Sequence, residues 1–173
     1  MTETGHGDEA PGEHLLAELR WIHDMIRRDL RFVRQLAEQT AAGAPVGEIG
    51  AAVRSLQTNG PLWQLKVNCL RYCHFVHHHH SLESSTLFPA LRRADPGLSA
   101  TVDRLESDHQ KVADILDRIE ALAVHLTEAG ESAATRRDLV EALTDLSDHL
   151  LAHLDFEEEA IAPTLRRWHR WPF

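Results

Sequence analysis

Four stretches of this chain place an apolar residue at alternating steps of three and four. The first reads Leu16, Leu19, Ile26, Leu30, Val33, Ala37, and the second Leu62, Leu65, Cys69, Tyr72, Val76. The third reads Val102, Leu105, Val112, Leu116, Ile119, Ala123, Leu126, and the fourth Leu139, Leu143, Leu146, Leu150. On a helix that spacing draws one apolar stripe, the seam along which helices pack side by side; a strand would need alternation with period two. Gly- and Pro-containing breaks at 41–47, 58–61, 94–97 and 128–132 separate the stretches. Helices joined by short turns run antiparallel, so the expectation is an all-α, up-down-up-down four-helix bundle. A short connecting helix is expected over 48–57, and Pro89 together with "ADPG" at 94–97 is expected to close the second helix. Residues 1–12 read as a polar tail, 13–167 as the bundle and 168–173 as an aromatic C-terminal tail.

The same stripes carry polar residues. His23 fills the one gap in the first, His79 and Glu83 continue the second, His109 interrupts the third, and His153 and Glu157 continue the fourth. These are positions where a bundle buries leucine. "HHSLESSTLFPALRR" from 79 aligns with "HLDFEEEAIAPTLRR" from 153, pairing His79 with His153, Glu83 with Glu157 and Pro89 with Pro163. His23 aligns with His109 in the same way. The chain therefore reads as two helix pairs, each giving one His and one His-x3-Glu.

Residues four apart on a helix lie about 40° apart and one turn along, so a His and a Glu at that spacing reach a common centre. A lone seam histidine is ordinarily a hydrogen-bonded core residue, and a lone His/Glu pair a solvated helix face. Six such residues in a repeat are another matter. Two carboxylates buried without compensating charge carry a large desolvation cost. A pair of cations between them removes it, and the expectation is a metal site in the bundle core.

The tract "HFVHHHHSLE" adds more histidines. At about 100° per residue, His74, His77 and His78 point away from the seam, whereas His80 borders it and is a candidate additional ligand. Asp24, His149 and Glu158 fall close enough either to orient a ligand or to lie exposed. Tyr72, the single tyrosine, is two turns before His79 on nearly the same face. It reads as a core aromatic with a satisfied hydroxyl or as a phenol directed at a metal-bound oxygen species.

A net charge of −9 with scattered Lys and Arg argues against phosphate-driven binding, so no nucleic acid is expected. The polar start and the lack of about 18 uninterrupted apolar residues argue against a leader or membrane span. The expected location is cytoplasmic, with Cys69 and Cys73 as reduced core thiols.

One His on each odd helix, with "HHSLESSTLFPAL" and "HLDFEEEAIAPTL" on the even ones, resembles the hemerythrin-like (HHE cation-binding) family from about residue 13 to 167. "RYCHFVHHHH" is similar to an actinobacterial branch of it. The resemblance implies two iron ions bridged by an oxo or hydroxo group, with His23, His79, Glu83, His109, His153 and Glu157 as ligands. Oxygen-carrying hemerythrins have a second histidine four residues on in the third helix; here that position is Ala113. Either His80 replaces it or one iron has an open position. The expected ligand is a small diatomic or peroxide, O2, H2O2 or NO, with catalase-like turnover as one outcome. The alternatives are a non-catalytic iron or oxygen sensor, an iron buffer, and a Zn-bound structural bundle.

Overall fold

The computed structural model describes residues 10–42, 61–126 and 133–173. The expected connecting helix at 48–57, most of the N-terminal tail and the 128–132 turn lie outside the described residues. Among the described residues five α-helices follow in order: α1 (Glu13–Ala41), α2 (Pro61–Leu82), α3 (Phe88–Ala94), α4 (Ser99–His125) and α5 (Ala133–Leu165). A π-helical turn, Glu83–Leu87, joins α2 to α3 without a break, so α2 and α3 form one long second helix. No strand occurs among the described residues. Each long helix packs against two others, α1 on α5 and α2, and α4 on α5 and α2. This is the four-helix bundle expected from the seams.

The "ADPG" stretch closes the second helix as expected, but Pro89 does not, since the helix runs through it to Ala94. Proline lacks the N–H that would complete an i to i−4 bond, and its ring crowds the preceding turn. The π turn comes immediately before it. The Phe88 N–H donates to the Glu83 carbonyl five residues back, and Pro89 enters the first turn of α3, where a missing N–H costs nothing. The hydroxyls of Ser85 and Thr86 both donate to the Leu82 carbonyl. The actual turn is at Asp95, whose carboxylate accepts from the Gly97 N–H at 3.1 Å and from Arg167 of the α5 end at 3.1 Å. Pro163, its counterpart in the repeat, sits inside α5, which remains α-helical throughout.

The seam residues form two apolar clusters. The larger holds Ile26, Leu30, Val33, Val76, Val112, Leu116, Leu146 and Leu150 among others; the smaller holds Leu16, Leu19, Leu87, Phe88, Leu105 and Ile161. Between them, at the same level on all four long helices, lie His23, His79, His80, Glu83, His109, His153 and Glu157, all buried. Cys69 and Cys73 are free and buried in the larger cluster, and burial pushes the Cys69 thiol up to about 12 and raises that of Cys73 as well.

The end of α5 meets the start of α1. The Gly12 N–H donates to the Arg166 carbonyl at 3.1 Å, Arg166 pairs with Glu13 at 2.9 Å, and the Trp171 indole donates to Glu18 at 2.8 Å. Trp168 and Trp171 rest on the smaller cluster. A Cβ at position 12 would lie 1.8 Å from the Leu165 carbonyl oxygen, which is backbone and cannot rotate aside. Gly12→Ala is therefore expected to cost about 1–3 kcal/mol, seen as a lower melting temperature; an unchanged one would contradict the contact.

Candidate metal centre

The buried polar layer is assembled by helix phase. His23 comes from α1, His79 and His80 from the last turn of α2, Glu83 from the π turn, His109 from α4, and His153 and Glu157 from α5. Their donor atoms form two groups, each with all atoms within 4.8 Å of one another: His23, His79 and Glu83 in one, and His80, Glu83, His109 and His153 in the other. Glu83 belongs to both. Its Oε1 lies 3.1 Å from His79 Nε2 and 3.6 Å from His23 Nε2, while Oε2 lies 3.4 Å from His109 Nε2. Glu157 spans the same division from α5, with Oε2 3.6 Å from both His23 Nε2 and His153 Nε2.

His80 is inside the layer. Its ring stacks on His109 with centroids 3.9 Å apart and stands edge-on to His153 at 5.2 Å. It thus supplies an imidazole beside His109, where Ala113 provides none. Buried Nε2 of His23, His79 and His80, Nδ1 of His153 and all four oxygens of Glu83 and Glu157 have no hydrogen-bond partner. Native interiors leave only a few such atoms unpaired, and here eight fall in one layer. This donor set of imidazoles and carboxylates, most of it without hydrogen-bond partners, fits divalent or trivalent transition cations.

Electrostatics point the same way. Burial lowers the histidines, His79 to about 3, His109 to about 2 and His153 to about 4, with the other imidazoles adding to the effect for the first two. Burial likewise lowers His23 and His80. Neutral imidazole is the form that binds metal. Burial and the neighbouring Glu157 raise Glu83 well above the usual carboxylate range, and burial with the nearby Glu158 raises Glu157 to about 8. Two carboxyls that resist ionisation in this layer become favourable anions once cations stand between them.

A match to the hemerythrin HHE cation-binding domain covers residues 14–165, nearly the whole bundle. The chain belongs to this family. Comparisons with curated proteins and with solved structures gave no match. Family membership fixes the broad chemistry of this HHE domain as cation binding in a helical bundle, in agreement with the buried His/Glu layer.

Around the layer of the HHE domain lie partners that set ring orientation. His23 Nδ1 meets Glu158 Oε1 at 2.8 Å, and Arg27 donates to the same oxygen at 2.9 Å. Partial burial pushes Glu158 up, but hydrogen bonds from His23 and Arg27 outweigh it and hold the carboxyl below its ordinary value. An anionic Glu158 places the His23 proton on Nδ1, which leaves the Nε2 lone pair facing the centre. Asp24 is exposed and engaged by Arg27, and His149 is exposed and bonded to the Asp145 carbonyl, so neither touches the layer. Ser84 Oγ, 2.9 Å from His109 Nδ1, and Asp108 Oδ2, 3.9 Å from His153 Nδ1, escaped the sequence reading. Their only sequence signal is adjacency to Glu83 and His109.

Tyr72 belongs to neither donor group. It is buried in the larger apolar cluster, and its hydroxyl donates to the Ile26 carbonyl at 3.3 Å, one turn beyond His23. Ile26 and Val112 border the polar layer on that side, Leu87 and Ile161 on the other, all four buried. Among the described residues no helix is long and apolar enough to cross a membrane.

Proposed function

We propose that this HHE domain holds two iron ions and binds or reacts with a small oxidant, O2, H2O2 or NO. His23 and His79 would hold one ion, His80, His109 and His153 the other, with Glu83 and Glu157 between them. The observation that carries the reading is that each carboxylate lies between two groups of imidazoles, and that the carboxylate oxygens and the Nε2 atoms of His23, His79 and His80 lack hydrogen-bond partners. Iron rests on the family, since the donor set also suits Mn and Zn. Iron supplies one-electron redox chemistry with oxygen species when bound. The chain's part is to keep imidazoles neutral, balance charge with two carboxylates and exclude water with apolar residues on both sides of the layer.

In this reading Tyr72 is the donor to the bound oxidant. Burial drives its pKa well above the ordinary value, so it keeps its proton at neutral pH, and it must leave the Ile26 carbonyl to donate elsewhere. That same bond favours the second reading, an iron or oxygen sensor or an iron buffer, because the phenol is already engaged.

The decisive measurement is metal content with a visible spectrum on protein from iron-replete cells. About two iron ions per chain and a coloured protein are expected, with His80→Ala losing iron or shifting the spectrum. A colourless, iron-free protein would sink the di-iron reading, and an unchanged His80→Ala would remove His80 from the ligand set. Oxygen release from added H2O2, slowed in Tyr72→Phe, would support turnover. An active protein indifferent to Tyr72→Phe would remove the tyrosine alone, and no turnover at all would favour sensing or buffering.

A further inference from the structure

The histidine tract also puts three imidazoles outside the bundle, and they divide by helix face. His77 turns to α4, with Nε2 3.3 Å from Asp117 and 3.9 Å from Glu120. His74 and His78 turn the other way and line a surface cavity of about 750 Å³ between α1 and α2, together with Asp29, Asn68, Arg71 and Phe75. Both are exposed. Neither ring has a hydrogen bond, ion pair or ring contact among the described residues, whereas Asp29 is held by Arg28 at 3.0 Å.

We infer that His74 and His78 form a second, exposed metal chelate on α2, separate from the buried layer, for a borderline divalent transition cation of the Zn2+ or Cu2+ class. Two imidazoles at i and i+4 stand one above the other on one helix face, the spacing at which two ring nitrogens close on a single ion. Neutral nitrogen donors select borderline transition ions over Mg2+ and Ca2+, which take oxygen. The cavity gives the remaining coordination positions to water, and Asp29 offers one negative charge across it against the positive charge of Arg71. Among the described residues neither ring has a partner that binding would displace. Exposure makes the ion exchangeable, unlike one enclosed in the core.

Zn2+ is the probe, added to the protein as purified, with uptake followed by equilibrium dialysis and calorimetry. Wild type is expected to take up one more Zn2+ per chain than the double variant His74→Gln/His78→Gln. Either single variant should bind this ion about tenfold or more weakly, because one imidazole bond remains where there were two. His77→Gln should keep it, and the interior metal content and helical circular dichroism should be the same in all variants. Equal Zn2+ uptake by wild type and the double variant would overturn the inference, as would equal loss in His77→Gln. Because the readout is a difference in exchangeable Zn2+, it stands or falls separately from the iron reading.

Discussion

Glu157→Leu is expected to give a chain that, free of metal, unfolds at a higher temperature than metal-free wild type, and yet cannot fill its metal centre. Glu157 is fully buried on α5, both its oxygens lack partners, and burial together with Glu158 raises its pKa to about 8. Its nearest imidazole nitrogens are 3.6 Å away, too far to count as good hydrogen bonds. Little is therefore lost with the carboxyl, and leucine of similar volume extends the seam of Leu150 and Ile161. Replacing such buried polar groups by apolar ones stabilises by about 1–4 kcal/mol, several degrees in a chain of this size. Thermal unfolding in chelator and metal analysis of the purified variant check both halves. A less stable apo variant would contradict the first half, and full metal content the second.

The second large effect is in pH. In the metal-free chain, His79 at about 3, His109 at about 2 and His153 at about 4 compare with 6.5 when unfolded. Between these values the unfolded chain binds more protons, so stability rises with pH and is lost as pH falls below about 6.5. Glu157 has the opposite sign: at about 8 against 4.5, the folded chain binds more protons, and stability drains away as pH rises towards 8. Glu83 is shifted in the same direction. Histidines outnumber the two carboxyls, so metal-free stability should peak near pH 6.5 and decline on both sides. Loading replaces the carboxyl protons with cations and should abolish the alkaline decline while leaving the acid one. At a hundredfold excess over Kd it adds about 2.7 kcal/mol, or about 5–10 °C. At pH 7 binding should release protons, measurable by calorimetry in two buffers of different ionisation enthalpy. A metal-free melting temperature that is flat from pH 5 to 9 would contradict the shifts.

The bundle was legible because its signal is one-dimensional. Steps of three and four survive any rotation of one helix about its neighbour, and His23, Glu83 and Glu157 inherit their place from them. His80 was harder, because at about 100° from His79 its burial depends on how α2 presses against α4, visible as the stack on His109. Glu158, Ser84 and Asp108 are set by contacts across helices and have no period of their own. The π turn hid behind an ambiguous proline: Pro89 and Pro163 occupy equivalent places in the repeat, yet only the first follows a change of helix type. Sequence duplication did not enforce duplicated geometry.

The seven-residue polar layer leaves the two apolar clusters to stand as separate bodies of oil on one set of helices. Without a cation, the side chains of the layer lack mutual hydrogen bonds beyond the His109 to His153 contact at 3.1 Å, and the helices are linked at this level from around it, by His23 and Arg27 to Glu158 and by Ser84 to His109. The waist is therefore tied at its rim rather than at its centre. A pair of bound ions, together drawing ligands from every long helix, would act as a cross-beam there and tie the stiffness of the waist to metal content.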